Sequence, residues 1–285
     1  MKNVNLDAKP WRDYELTDSG DNRKLERYGS VVLIRPETQA IWKPKKPEEW
    51  KKAKAEFRWS GGKGVWQKKD LPENWEISWN DIRFSVRLTS FKHTGVFPEQ
   101  AANWEWLEEK VRALEDPQVL NLFGYTGIAS LVAAKAGAYV THVDASKQAN
   151  DWAKKNALLS EVPNDKIRYI VDDALKFAER EVRRGKSYDG IILDPPAFGR
   201  GTKGEVWKIE EDLPRLLESL KKLLAAKPGA FFLLNGYAAG YSPQSFLQVV
   251  ESFWGGKDIE FGELRIEESG SERCVPAGIY VRFSR

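Results

Sequence analysis

The chain has 285 residues, with 45 Lys/Arg against 42 Asp/Glu, so its formal net charge of +3 does not by itself dictate a nucleic-acid partner. A single cysteine, Cys274, excludes an intramolecular disulfide framework and a cysteine-cluster metal site, and with only His93 and His142 no imidazole-rich metal site is expected. No apolar run reaches the ~18 residues of a membrane span and MKNVNLDAKPWRDYEL has no secretory apolar core, so a cytoplasmic protein is the expectation.

Composition changes near residue 92. Residues 1–92 carry 20 Lys/Arg against 14 Asp/Glu and seven of the twelve tryptophans: Trp11, Trp42, Trp50, Trp59, Trp66, Trp75 and Trp79. Short β-like runs, Ser30 to Arg35 and Ile82 to Leu88, lie around a Lys/Glu stretch of helical character from Pro47 to Phe57. The reading is a small α+β domain over 1–92, its tryptophans filling a core, followed by a second domain over 93–285. Basic residues interleaved with aromatics also suit a single-stranded RNA platform, because bases stack on exposed rings. Trp42-Lys43-Pro44-Lys45-Lys46-Pro47 is the segment best suited to exposed basic contact, and a solvated turn explains it equally well. At the junction His93 to Gln100, Pro98 suits the first turn of a helix from Glu99 to about Arg112, with Phe97 and Gln100 at its start.

The next stretch organises the rest. Val119-Leu120-Asn121-Leu122-Phe123 reads as a buried strand that stops at Gly124; Gly127 follows, then a helix from Ile128 to about Ala136 and a strand from Tyr139 to Val143 closed by Asp144. Strand, glycine turn, helix and strand-terminal acid form the first half of a nucleotide-binding βαβ unit, with glycines allowing close backbone approach and the acid reaching ribose hydroxyls. A nicotinamide-dependent oxidoreductase would use the same acid.

A third strand, Ile167 to Val171, ends at Asp172-Asp173, where a carboxylate suits an adenine amine and either acid also suits a helix cap before Ala174. The fourth strand, Tyr188 to Leu193, runs into Asp194-Pro195-Pro196-Ala197-Phe198. Two prolines remove two amide donors and leave carbonyls and the Asp194 carboxylate as acceptors for a substrate amine, while Phe198 offers a flat apolar face. Gly199 to Gly204 reads as a flexible basic loop suited to a lid or a phosphate contact. A helix from about Glu211 to Leu224, a fifth strand from Ala230 to Leu234, a helix between Pro243 and Trp254, and a closing pair, Ile259 to Ile266 and Gly278 to Phe283, complete a doubly wound, mostly parallel α/β sheet of seven strands.

From about Phe97 to Arg285, LNLFGYTG, HVDASKQANDWAKKNA, VDDAL and LDPPAFGRG in that order resemble class I S-adenosylmethionine-dependent methyltransferases. The resemblance extends to the branch containing large-subunit ribosomal RNA methyltransferases, in which TG-F-x-(D/E)-Q precedes the glycine strand. It implies a Rossmann-like fold, S-adenosyl-L-methionine as cofactor and an RNA partner. Gly124, Tyr125, Thr126 and Gly127 would wrap the methionine end of the cofactor, Asp144 its ribose and Asp173 its adenine amine. Phe97, Gln100, Asn121, Phe123, Ala145, Ser146, Ala174 and Asp194 would complete the cofactor site. Asp194, Pro195, Pro196 and Phe198 would face the methyl acceptor. Carbon-5 enzymes of this branch carry a cysteine after the fifth strand, because that ring carbon needs thiolate addition to become nucleophilic. Here the segment reads FFLLNGYAAGYS, and Cys274 matches no catalytic position, so a nitrogen acceptor is expected. A protein or small-molecule amine as acceptor, and a non-catalytic cofactor-binding RNA assembly factor, stand as alternatives.

Overall fold

In the computed structural model, which describes all residues except 62, 202, 203, 238, 239, 256 and 257, five apolar runs of the second half pair in parallel. Their order across the sheet is Ile167–Val171, Tyr139–Asp144, Gln118–Leu122, Gly190–Leu193 and Phe231–Gly236. Cys274–Ser284 then runs antiparallel to Phe231–Gly236, with Glu260–Glu267 beyond it. The seven expected strands are therefore present, and the sheet gains two more. Lys2–Asn3 pairs parallel with Glu260–Glu267, and Leu6–Ala8 also joins that strand. These short N-terminal segments have no apolar alternation of their own; their pairing rests on backbone bonds such as Lys2 N–H to the Ile259 carbonyl at 2.8 Å.

Helices connect the parallel strands in two groups: Ile128–Lys135 packs with Lys147–Leu159, and Ile209–Leu223 packs with both Ala174–Arg183 and Pro243–Trp254. This is the doubly wound arrangement, and its core is apolar: Leu120, Leu122, Leu193, Phe232 and Leu234 from the strands meet Phe177, Leu216 and Val250 from the helices. No helix among the described residues is long and apolar enough to cross a membrane.

Two compact units divide the chain differently from a single break at 92/93. The larger comprises Met1–Leu6, Asn103–Leu264 and Ala277–Arg285, and the smaller comprises Asp7–Ala102 and Arg265–Pro276. The last two strands each supply residues to both units, which sequence position alone does not reveal.

The smaller unit is built of strands rather than α+β. Tyr14–Gly20, Arg23–Tyr28, Val31–Pro36, Ala55–Ser60 and Lys63–Lys68 form one sheet in that order, and Trp75–Trp79 with Ile82–Val86 forms a hairpin. The expected helix Pro47 to Phe57 is a single turn, Pro47–Trp50. Ala55 and Phe57 are buried while Glu56 and Arg58 face outward, a period of two that belongs to a strand. The tryptophans do not fill this core either. Tyr14, Leu16, Leu25, Tyr28, Leu33 and Phe84 do, and of the seven tryptophans only Trp79 is fully buried. Four of the others sit at the margin and pin turns through their indole N–H, as Trp50 does to Asp18 Oδ2 at 2.7 Å and Trp75 to the Tyr28 carbonyl at 3.0 Å.

The core of this unit also holds an ion pair. Arg35 grips Glu26 through Nε at 2.6 Å and Nη2 at 2.7 Å, and Tyr14 donates to the same carboxylate at 2.8 Å. Burial alone would raise the Glu26 carboxyl, but Arg35 and Lys24 outweigh it and hold it at about 2.

The basic Trp42–Pro47 segment is a tethered turn. Asp18 accepts the backbone N–H of Lys45 at 3.1 Å and of Lys46 at 2.8 Å, Lys46 Nζ donates to the Thr17 and Ser269 carbonyls, and Lys43 pairs with Asp21.

Candidate active site

Register brings the candidate residues together. Leu122 lies opposite Val143 on one side and Leu193 on the other, and Leu193 lies opposite Leu234. The residues that follow stand at the same edge: Phe123 between Asp144 and Asp194, and Asn235 beside Asp194. Neighbouring strands are about 4.8 Å apart, so these residues converge. The strand Gln118–Leu122 has a partner on each side and its connections diverge, which makes this edge the topological switch point where open α/β sheets bind ligands.

The turn after the central strand is strained. Phe123 and Tyr125 adopt left-handed backbone angles, with φ of 57° and 49°, which side chains other than glycine rarely take. Gly124 between them must be glycine because a Cβ there would lie 2.3 Å from His142 Cε1 and 2.5 Å from Nδ1. The turn is fixed on both sides: Phe123 packs edge-on to Trp207, and Asn156 Nδ2 donates to the Thr126 carbonyl at 2.9 Å. Gly127 then opens the helix Ile128–Lys135.

Beneath the turn lies a buried polar chain. Asn121 Nδ2 donates to Ser130 Oγ at 2.9 Å, and Ser130 Oγ lies 2.9 Å from His142 Nδ1. Asn121 and His142 are direct partners across the two strands. Asn121 therefore supports the cofactor turn from below, with its amide committed to Ser130. Burial lowers His142 from the usual 6.5 to about 3, so the ring is neutral under the glycine turn. Below pH ~6.5 the unfolded chain takes up a proton that the folded chain does not take up until about pH 3, so stability falls as pH drops through this window. Denaturant unfolding from neutrality to about pH 5 should lose up to about 1.4 kcal/mol per pH unit from this residue. His142→Asn should remove that share of the slope while the similarly depressed His93 keeps its own; an unchanged slope in the variant would contradict the burial account.

Asp144 is half-buried and joins two turns. Its Oδ2 accepts the Tyr125 N–H at 2.9 Å and its Oδ1 accepts the Ser146 N–H at 2.8 Å. Burial raises this carboxyl and the two backbone bonds oppose the rise. Each oxygen retains a lone pair, so the group can still accept ribose hydroxyls. Ser146 caps the helix Lys147–Leu159, Ala145 lies between, and fully buried Asn150 ties the segment by donating to the Asp144 and Ser146 carbonyls.

Of the acid pair at the third strand, Asp173 caps the helix Ala174–Arg183 by accepting the Lys176 N–H at 2.9 Å, and Asp172 pairs with Arg180 at 2.6 Å. The cap uses Oδ1 of Asp173, and Ala174 is buried at the first helical position.

The Asp194–Phe198 segment differs from expectation in one acceptor. Trp207 Nε1 donates to the Pro196 carbonyl at 2.7 Å, so one lone pair of that oxygen anchors the loop. Pro195 is buried, Asp194 half-buried, and Phe198 is 55% exposed. The loop behind is not uniformly flexible: Phe198–Arg200 pairs antiparallel with Val206–Lys208, and Gly201 N–H bonds the Glu205 carbonyl. Thr202 and Lys203, part of the expected lid, lie outside the described residues. Asn235 was not singled out from sequence. Its Oδ1 accepts from Asn103 Nδ2 at 2.7 Å, and Arg282 bridges Asn103 to Glu260.

Phe97 and Gln100 fall in the smaller unit, where Pro98–Gln100 is a 3-10 turn leading into the helix Ala101–Arg112. Cys274 is also in that unit, and burial, then Asp7, pushes its thiol above the ordinary value, opposite to what a nucleophile needs. Among the described residues no group of three or more His, Cys, Asp or Glu is arranged to hold a metal.

A family model for S-adenosylmethionine-dependent methyltransferases matches residues 54–251. The chain belongs to this family. The crystal structure of a SAM-dependent methyltransferase from Agrobacterium tumefaciens is similar with a TM-score of 0.93 and 42% identity, covering 99% of this chain and 93% of that one. A methyltransferase structure complexed with SAH is similar in fold, with a TM-score of 0.74 at 20% identity over 95% of this chain and 75% of that one. Ribosomal RNA large subunit methyltransferase K of Neisseria meningitidis serogroup B is 27% identical over 228 residues, which span 76% of this methyltransferase and 64% of that protein, less than two thirds of its length.

The strand ends fit S-adenosylmethionine, the cofactor of this family. The turn at Gly124 has no room for a side chain, and Asp144 stands at the next strand end with acceptor capacity remaining. Neither a nicotinamide-specific contact nor a role for Asp194-Pro195 in hydride transfer is needed to account for this edge.

Proposed function

We propose that this methyltransferase modifies RNA at a base nitrogen, with ribosomal RNA as the favoured substrate. The observation that carries the reading is the position of Asp194, half-buried and leaving the sheet between the glycine-turn strand and Asn235, with the exposed Phe198 ring following it. When bound, the cofactor supplies an electrophilic methyl on a sulfonium, so the protein's task is mainly positioning. Asp194 and the Pro195 carbonyl accept hydrogen bonds from an exocyclic amine, and Phe198 stacks the base that carries it. Asp144 holds the ribose hydroxyls, and Asp173 receives the adenine amine on the oxygen that does not cap the helix.

Similarity to the Neisseria enzyme supports RNA as the acceptor class, and the lack of a cysteine in FFLLNGYAAGYS after the fifth strand supports nitrogen over ring carbon. The smaller unit serves in substrate recognition. Nucleoside analysis of RNA treated with the enzyme and methyl-labelled S-adenosylmethionine tests the atom assignment. An N-methyl nucleoside is expected; a 5-methylpyrimidine would refute the nitrogen reading.

A further inference from the structure

In the smaller unit, Val31–Pro36 pairs with Ala55–Ser60 only through Leu33 to Ala55 and Ile34 to Glu56. From Phe57 onward the described residues pair with the returning strand, Phe57 with Trp66, Arg58 with Val65, Trp59 with Gly64 and Ser60 with Lys63. The sheet thus ends in a two-stranded ribbon that overhangs it. An isolated ribbon of two strands is barely stable in water, so something on its faces must hold it.

One face does so with a row of aromatic rings. Phe57 packs edge-on between Trp66 at 5.3 Å and Trp59 at 5.4 Å, and a Cβ at Gly64 would lie 2.1 Å from the Phe57 ring, which leans across the partner strand. Trp66 is pinned by its indole N–H to the Thr89 carbonyl at 2.8 Å and the Phe91 carbonyl at 3.3 Å. That bond ties a second exposed ring, Phe91, to the ribbon. The row does not end in the core: Trp59 is 65% exposed and Phe91 67% exposed. The other exposed ribbon residues include Arg58, Lys63 and Lys68. Lysines on the edge strand Lys63–Lys68 are explained by protection against edge pairing. An indole held rigid by a buried phenyl and presented to solvent among cations is not.

We infer that this ribbon is a binding element for single-stranded RNA, with Trp59 the ring on which a base stacks and Lys63 and Lys68 the contacts to flanking phosphates. The inference rests on the RNA reading given above and names where the substrate strand is held outside the methyl-transfer site. Charge complementarity selects the occupant. Two exposed rings, Trp59 and Phe91, with cations on both strand faces match the alternating bases and phosphates of an unpaired strand.

Fluorescence anisotropy of the full-length protein with a short, end-labelled single-stranded RNA of mixed sequence tests this. Trp59→Ala should bind about tenfold more weakly, with Trp59→Phe recovering part of the loss, because stacking needs a ring and not an indole in particular. Lys63→Gln should make the dependence of log affinity on log salt shallower by about 0.7, the value of one phosphate contact on a single strand. Both variants should keep the S-adenosylmethionine affinity of the parent, and Trp59→Phe, which keeps a ring against Phe57, should keep its thermal melt. If the parent methylates RNA in an Asp194-dependent manner but Trp59→Ala binds and methylates it as well as the parent, the ribbon assignment fails and the RNA reading survives. If the parent shows no affinity for RNA, both fail together.

Discussion

Replacing Asp194 with alanine is expected to lower the rate of methyl transfer about a thousandfold while leaving S-adenosylmethionine affinity within a few-fold of the parent. The two effects separate because the cofactor turn has supports of its own. Phe123 is braced by Trp207, Tyr125 N–H by Asp144, the Thr126 carbonyl by Asn156, and Gly124 sits over His142. In the proposed function Asp194 supplies instead the acceptor that orients the incoming amine, an interaction worth most when the nucleophile is at bonding distance. Asp194→Asn keeps one carbonyl acceptor and should fall between the two. Single-turnover rates with saturating cofactor, set beside calorimetric titration of the cofactor, give both quantities. Equal loss of affinity and rate would instead make Asp194 part of the cofactor site alone, and an unchanged rate would remove it from the mechanism.

Gly124→Ala should damage both stability and cofactor affinity. The added Cβ would lie 2.3 Å from the His142 ring, which is fully buried, bonded to Ser130 and packed beside Tyr169 at 5.4 Å. A ring so enclosed moves only by displacing the helix or the next strand. Overpacking of this kind costs about 1–3 kcal/mol. Because the displaced atoms are the turn itself, cofactor affinity should fall by about a hundredfold or more, a larger effect than the stability loss alone implies. The cause is testable through its partner. In the double variant Gly124→Ala/His142→Ala the clash is gone, so the two changes should be non-additive, with about 1–2 kcal/mol recovered relative to the sum of the singles. Denaturant unfolding of the four proteins measures this. Strict additivity would show that His142 is not what excludes a side chain at position 124.

Much of the larger unit was legible because its strands are buried on both faces and read as apolar runs broken by glycine or an acid. VLNLF, YVTHV and GIILDPP carry those breaks within the sequence itself, and parallel pairing then aligned them at one edge. The support under the turn was written there too, less visibly. Asn121 and His142 are polar residues in the middle of apolar strands, and register makes them neighbours. Without register, each reads as an isolated exception. The competing uses of Asp173 and Pro196 were less accessible, since a helix cap and a bond from Trp207 depend on local backbone direction.

The helix expected between Pro47 and Phe57 gives way to a strand for a different reason. Lys and Glu at helical spacing between residues 47 and 57 satisfy a solvent-exposed helix, but a strand with one outward face satisfies the same composition. Tertiary pairing with Val31–Pro36 and Lys63–Lys68 decided it for the strand. Tryptophan content suggested a core, yet four of the seven rings proved more useful at its margin, where an indole N–H reaches a carbonyl or carboxylate. The N-terminal strands and the division of the last two strands between units rest on backbone pairing across more than 250 residues of chain. No local pattern encodes that.

In the proposed function the edge formed by Gly124, Asp144 and Asp194 carries methyl transfer from S-adenosylmethionine to RNA. Incubating the purified full-length enzyme with methyl-labelled S-adenosylmethionine and total RNA from cells lacking the enzyme, then separating RNA, protein and small molecules, measures it directly. Label in a discrete RNA species, absent with Asp194→Ala, is the predicted result. Label confined to the protein or small-molecule fraction, with cofactor binding intact, would contradict the RNA assignment and move the acceptor to another class of amine.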